Sequence, residues 1–348
     1  MLPSPEPMAT APGSWPALRR QPLPAARLLV CSGLGLVLLA CSRTPGPPQV
    51  VAADGVLCDL SQRLAGGKLS VSCLLQPSDD PHEFRLSPQQ KTQISGARLL
   101  LISGYDLTPA LAGLPGAVAV SEQAVPQPPR LTPKDQHPSG DHDHDPASGH
   151  HHGGQDPHLW HNPRQAAAMA AVIAGQFSQL DPAAAEGIQQ RSKAMAALLE
   201  RLDAWNRVQF NALPRPWPPL ASSHRAFASL AQAYDLDELP LVDATSTSET
   251  LRPDAFRQVI ETLQAGSIPR LFAEQIPPAK TLQRISELSG VPIAAVPLTA
   301  DGLAMGPEGP LSLMATLVRN TCTIVEGWGG RCDRQGGEAL TQAWSRIN

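Results

Sequence analysis

"DPAAAEGIQQRSKAMAALLERLDAWNRVQF", residues 181–210, decides the architecture. Asp181 suits an N-cap, and Pro182 suits the first helical position, where its missing N–H costs nothing. Met195, Leu198, Leu202 and Trp205 then recur at spacings of three and four, which places one apolar stripe along a helix. A helix of roughly 30 residues is about 45 Å long. That is enough to run past a whole small domain, so the stretch is expected to be a strut joining two lobes. A second helical pattern, "NPRQAAAMAAVIAGQFSQL", precedes it and opens on Pro163.

On the N-terminal side, short apolar runs alternate with helical patterns. "QVVAA" (49–53), "LSVSCLL" (69–75), "RLLLIS" (98–103) and "AVAVS" (117–121) read as strands, with "VLCDLSQRLAG" and "SPQQKTQISGA" as helices between them. The C-terminal side repeats the scheme. "PPLASS", "LPLVDA", "IPRLFAE" and "VPIAAVPL" read as strands separated by helices, and "GPLSLMATLVRNTCTIVEGW" reads as a closing helix. Strand–helix alternation of this kind predicts an α/β fold with two open parallel-sheet lobes, about four strands each. The expected segments are an N-terminal lobe over 49–162, a helical region over 163–212 and a C-terminal lobe over 213–348. A chain of 348 residues is long enough for both cores.

The first forty residues read as an address. Arg19, Arg20 and Arg27 precede the apolar run "LLVCSGLGLVLLA" (28–40), which is too short to span a bilayer comfortably. It runs into "LLAC", Leu38 to Cys41, which resembles a bacterial lipoprotein processing box. That likeness implies cleavage before Cys41 and lipid on its sulfur, with "SRTPGPP" (42–48) as a tether. Three arginines and one glutamate leave with the signal, so the charge moves from −4 to −6. A mildly acidic chain without a basic run is not expected to bind nucleic acid. Of the remaining cysteines, Cys58, Cys73, Cys322 and Cys332, two disulfides are expected in an oxidising compartment. Three connectivities are possible. The local pairs 58–73 and 322–332 are preferred because each stays within one lobe.

Eight of the ten histidines fall in "HPSGDHDHDPASGHHHGGQDPHLWHNP", residues 137–163. Most of this run lies in a segment, 125–157, with no hydrophobic periodicity, and is expected to be a loop. Ligands of open α/β sheets sit beyond the carboxyl ends of the strands. That rule selects His82 after strand 69–75, His158 after strand 117–121 and the long loop, His224 after the strand ending near Ser222, and Asp301 after the strand around 293–298. Two come from each lobe, and three imidazoles with one carboxylate suit four-coordinate zinc. "DPH" occurs twice, at 80–82 and 156–158, so an aspartate and a rigid proline deliver an imidazole in a set direction each time. The aspartates are expected to cap those turns or to bond the imidazoles. Glu274 is expected to line the cleft and bond backbone or an arginine rather than act as a ligand.

"DDPHEFRLSP", "DPHLWHNP", "SSHRAFASLAQAYDL", "LFAEQIPPAKTLQRIS" and "PLTADGL", behind a lipoprotein signal, resemble the zinc- and manganese-binding proteins of bacterial ABC importers. The likeness covers about residues 49–330. It implies the metal-receptor class of periplasmic binding proteins, with a metal between two lobes joined by one long helix. The family's ligands match His82, His158 and His224, with Asp301 or a water in the fourth place. Manganese members carry a carboxylate at the position of His224, so histidine there implies zinc. His161 falls at a variable position and is not expected among the ligands. Ser78 and Leu311 stand where many members have Gly and Tyr. The resemblance further implies a non-enzymatic receptor, extracytoplasmic and lipid-anchored, that hands Zn2+ to an ABC permease driven by its ATPase; a monomer is expected. His137, His142, His144, His150, His151 and His152 belong to a loop that zinc members also carry. Nothing preorganises these imidazoles, so the loop would take up metal only weakly. A zinc hydrolase would need an open position and a general base, and no H-E-x-x-H is present. The same residues leave room for a metal-stabilised adhesin and for a manganese or iron receptor.

Overall fold

The computed structural model describes residues 49–131, 154–242, 253–275 and 280–348. The signal, Cys41, the tether and all six loop histidines named above lie outside the described residues. The elements run β1 (Val50–Ala52), α1 (Gly55–Ala65), β2 (Val71–Cys73), α2 (Pro88–Gly96), β3 (Leu99–Ile102), β4 (Ala117–Ala119) and α3 (Val120–Ala124). Two long helices follow, α4 (Pro163–Leu180) and α5 (Ala185–Asn211). Then come β5 (Leu220–Ser222), α6 (Ala228–Tyr234), β6 (Glu238–Pro240), α7 (Pro253–Ala265), β7 (Leu271–Phe272), α8 (Lys280–Ser289), β8 (Met305–Gly306), β9 (Gly309–Pro310), α9 (Leu313–Gly327) and α10 (Arg334–Ser345).

The first lobe is a parallel sheet of order β2-β1-β3-β4. Alternation along its strands sorts side chains between two cores. Val50, Ala52 and Leu101 face one; Val51, Ala53, Leu100 and Ile102 face the other. Both faces are therefore covered, as a parallel sheet requires. The second lobe is a parallel sheet of order β6-β5-β7. Here Leu220 and Phe272 point to one side, and Ala221 and Leu271 to the other. The fourth strand expected over 291–298 is reduced to isolated parallel bridges, Leu271 with Ile293 and Glu274 with Leu298. Pro292 and Pro297 explain this, since neither can donate to a ladder.

The expected strut is real, with a shorter α-helical part. Asp181 caps a 3-10 turn over Pro182–Ala184, accepting from the Ala184 N–H, and α5 starts after it. Its 27 residues span about 40 Å. Ile188, Met195, Leu198, Leu199 and Leu202 lie in the first core and Phe210 in the second. Helix α9 does the same, with Leu313, Met314 and Leu317 in the first core and Ile324 and Val325 in the second. Two helices, packed on each other, thus cross between the lobes. A buried chain of hydrogen bonds adds to this: Asn206 donates to the Tyr234 hydroxyl (2.9 Å) and accepts from Thr321 (3.0 Å). Helix α10 lies beyond the expected closing helix and returns to the first lobe. Leu340 and Trp344 enter its core, and the Trp344 indole N–H donates to Asp59 on α1 (2.9 Å). The disulfides pair Cys58 with Cys73 and Cys322 with Cys332, the local connectivity. Among the described residues no helix is long and apolar enough to cross a membrane.

Candidate metal centre

His82 and His158 are delivered by the same local device. In each DPH, the aspartate accepts the backbone N–H of the histidine two residues on, Asp80 from His82 and Asp156 from His158, both at 2.9 Å. This is the Asx turn, and the intervening proline stiffens it. The long loop before His158 is closed at its base. Arg130 bridges Gln155 antiparallel, Leu131 donates to the Gly154 carbonyl, and Asp156 donates to the Pro129 carbonyl. His158 is therefore placed by the ends of the loop. Asn162 then caps α4, accepting from the Arg164 N–H (3.0 Å).

His224 follows β5 directly, where the Ser222 hydroxyl donates to its carbonyl (3.1 Å). Asp301 follows the bridged segment at Leu298. Asn320 of α9 clamps that turn by accepting from the Thr299 N–H (2.9 Å) and donating to the Thr299 carbonyl (2.8 Å). Gly302 continues it at φ 67°, a left-handed conformation that glycine takes without cost.

The four side chains meet. One donor atom from each of His82, His158, His224 and Asp301 lies within 4.8 Å of the others. Asp301 Oδ1 stands 3.3 Å from His82 Nε2 and 3.2 Å from His158 Nε2, and Oδ2 stands 3.6 Å from His224 Nε2. Imidazole ring centroids are 5.4, 5.8 and 5.4 Å apart. Every one of these side chains is at most 3% exposed. Yet all three Nε2 atoms and both Asp301 oxygens lack a hydrogen-bond partner. Buried polar atoms are almost always paired. Five orphans aimed at one point are what a cation cage looks like. Donors on a tetrahedral ion with bonds of about 2.0–2.1 Å sit roughly 3.3 Å apart, close to the spacings found here.

Further groups turn two of the three imidazoles. The Asp156 carboxylate also lies 3.2 Å from His158 Nδ1. Glu274 Oε2 lies 2.5 Å from His224 Nδ1, and Oε1 accepts the His224 backbone N–H (3.0 Å). A carboxylate at Nδ1 keeps the proton there and leaves Nε2 its lone pair for a metal. Glu274 thus bonds backbone as expected, but its second partner is His224 rather than an arginine. His161 stands outside the cage. Its Nε2 lies 2.9 Å from the Ala300 carbonyl, and its ring packs on Phe227 at 4.8 Å. It ties the first lobe to the residue before Asp301.

Charge follows this geometry. Burial opposes charge on His158, but Asp301 and Asp156 outweigh it and push the imidazole up to about 10. His224 is also raised: burial works against it, and Glu274 prevails. Burial would raise Asp301, but His82 and His158 hold it well below the usual carboxylate range. His161 falls to about 4 through burial and the charge of His158. At neutral pH it is uncharged and donates from Nε2 to Ala300.

Two α/β lobes tied by long helices, with a buried cage of three imidazoles and a carboxylate drawn from both, define a metal-receptor type of binding protein. The sequence matches the family described as zinc-uptake complex component A, periplasmic (ZnuA), over residues 50–327, and the chain belongs to that family. This is a family of uptake receptors, not of enzymes. The chain is similar to the manganese ABC transporter substrate-binding lipoprotein PsaA of Streptococcus pneumoniae, at 26% identity over 86% of this chain and 97% of that one. It is also similar to the iron-binding protein YfeA of Yersinia pestis, at 26% identity over 81% of this chain and 86% of that one. The solved periplasmic zinc binding protein TroA of Treponema pallidum shares the fold, with a TM-score of 0.70 and 23% identity, over 82% of this chain and 100% of that one.

Proposed function

We propose that this chain is the substrate-binding component of a metal ABC importer and that its cargo is Zn2+. His82, His158, His224 and Asp301 are the ligands. The observation that carries the reading is the set of five buried atoms, none of them hydrogen-bonded, converging between the lobes. Named relatives divide over the metal: manganese for PsaA, iron for YfeA, zinc for TroA. The donor set favours zinc here, because manganese prefers oxygen ligands and higher coordination, whereas three imidazoles suit zinc. The chain is a monomer held to the outer face of a membrane by lipid on Cys41, a reading supported by the Leu38–Cys41 box and by the lipoprotein relatives. Captured zinc passes to a permease powered by its ATPase. The six loop histidines, from His137 to His152, form an auxiliary and weaker reservoir.

The test has two arms. Metal-free mature chain is titrated with zinc, manganese and iron(II), beside His82→Ala, His158→Ala and His224→Ala. One tight zinc ion lost in each variant is expected. Uptake of labelled zinc and manganese is then compared in cells with and without the chain. Impaired manganese uptake with normal zinc uptake would overturn the zinc assignment.

A further inference from the structure

Asp156 is buried and accepts four hydrogen bonds, two from each lobe. Oδ1 faces His158, taking its backbone N–H at 2.9 Å and standing 3.2 Å from Nδ1. Oδ2 faces α6 of the other lobe, taking the Ser229 backbone N–H at 2.9 Å and the Ser229 hydroxyl at 2.6 Å. Ser229 is itself fully buried. The two sides belong to different cores. Leu159 and Trp160, next to His158, pack in the first; Phe227 and Leu230, around Ser229, pack in the second.

The other carboxylate that turns an imidazole has no such span. Glu274 and His224 both come from the second lobe, at the ends of β7 and β5. At His158 the group that holds the imidazole takes its own bonds from across the lobe boundary.

We infer that Ser229 is a positioning residue for metal capture: through Asp156, the second lobe sets the angle of a first-lobe ligand. The inference rests on the metal-site reading above. Ser229 touches no metal, and its effect is transmitted by one carboxylate. Removing its hydroxyl leaves Oδ2 with a single donor and frees the carboxylate to rotate, which turns the His158 ring. It follows that a partner shifting α6 away from residues 156–158 loosens one of the four ligands, and so provides a handle for release.

The test is a double-mutant cycle on the full mature chain: Ser229→Ala, Asp156→Asn and the pair, with His158→Ala and Ser229→Thr as references. Zinc affinity is read by chelator competition, and ligand geometry by the visible absorption of the cobalt(II)-loaded protein. Changes to groups that orient ligands cost about 10–100-fold in affinity. Asp156→Asn is expected in that range, and Ser229→Ala, which keeps the backbone N–H, at about 3–10-fold. The cobalt spectrum is expected to shift in Ser229→Ala and to return toward wild type in Ser229→Thr. The double variant is expected to be no weaker than Asp156→Asn alone. If His158→Ala abolishes tight binding while Ser229→Ala leaves affinity and spectrum unchanged, this inference fails and the site reading stands. Independent, multiplying losses in the double variant also overturn it. If His158→Ala binds zinc normally, the site reading fails.

Discussion

Glu274→Gln is the substitution that separates shape from charge in this site. The wild-type carboxylate presents two acceptors to two donors, the His224 backbone N–H at 3.0 Å and the ring Nδ1 at 2.5 Å. Glutamine has the same shape but one acceptor and one donor. Whichever way its amide turns, one His224 donor meets an N–H instead of an oxygen, or the ring changes tautomer and puts its proton on Nε2. The first outcome leaves a buried donor unpaired, at about 1–3 kcal/mol. The second removes the lone pair a metal needs. Either way metal affinity is expected to fall about 10–100-fold, equivalent to about 1.4–2.8 kcal/mol. Competition with a chromophoric chelator measures the loss, and urea unfolding of the metal-free protein checks that the variant still folds. A folded Glu274→Gln protein with zinc affinity within about twofold of wild type would refute this account of how His224 is held.

Four other outcomes follow from the same structure. His158, held up to about 10, is charged in the metal-free protein at pH 7.5 and must lose its proton to become a ligand. Zinc capture at that pH should therefore release protons, seen by calorimetry in buffers of different ionisation enthalpy; a value of zero would contradict it. The stability this imidazole contributes to the metal-free fold has the matching sign. It is complete below its unfolded value near 6.5 and lost as pH rises toward about 10, so the denaturation midpoint should decline over that window. Replacing Cys58 and Cys73 together opens a loop with a sequence separation of 15 and should cost about 3 kcal/mol in chemical denaturation. Asn206→Ala removes a hydrogen-bond partner from each of the buried Tyr234 and Thr321 hydroxyls and should cost about 2–4 kcal/mol, measured on the metal-free protein.

The four residues of the cage were legible because their placement follows topology. Strand ends were marked by apolar runs, and His82, His158, His224 and Asp301 each come after one. The repeated DPH was legible as a device because Asp, Pro and His act within three residues. What stayed hidden depends on contacts across sequence. Glu274 reads as a cleft charge until the fold brings His224, 50 residues away, against it. Asp156 reads as a turn cap, and nothing near it in sequence announces Ser229, 73 residues on. The strand over 291–298 was overread: its apolar pattern is strong, but Pro292 and Pro297 deny it a ladder. Helix α10 was missed because Gly336 and Gly337 weaken its first turn, although Asp333 as N-cap and Leu340 with Trp344 four residues apart were available signals.

The central claim is that side chains from both lobes hold one ion. Anomalous diffraction at the zinc edge from crystals of the zinc-loaded chain tests it most directly. A single strong peak bonded to Nε2 of His82, His158 and His224 and to the Asp301 carboxylate is the predicted result. A tight-site peak elsewhere, or one lacking the His224 or Asp301 contact, would contradict it.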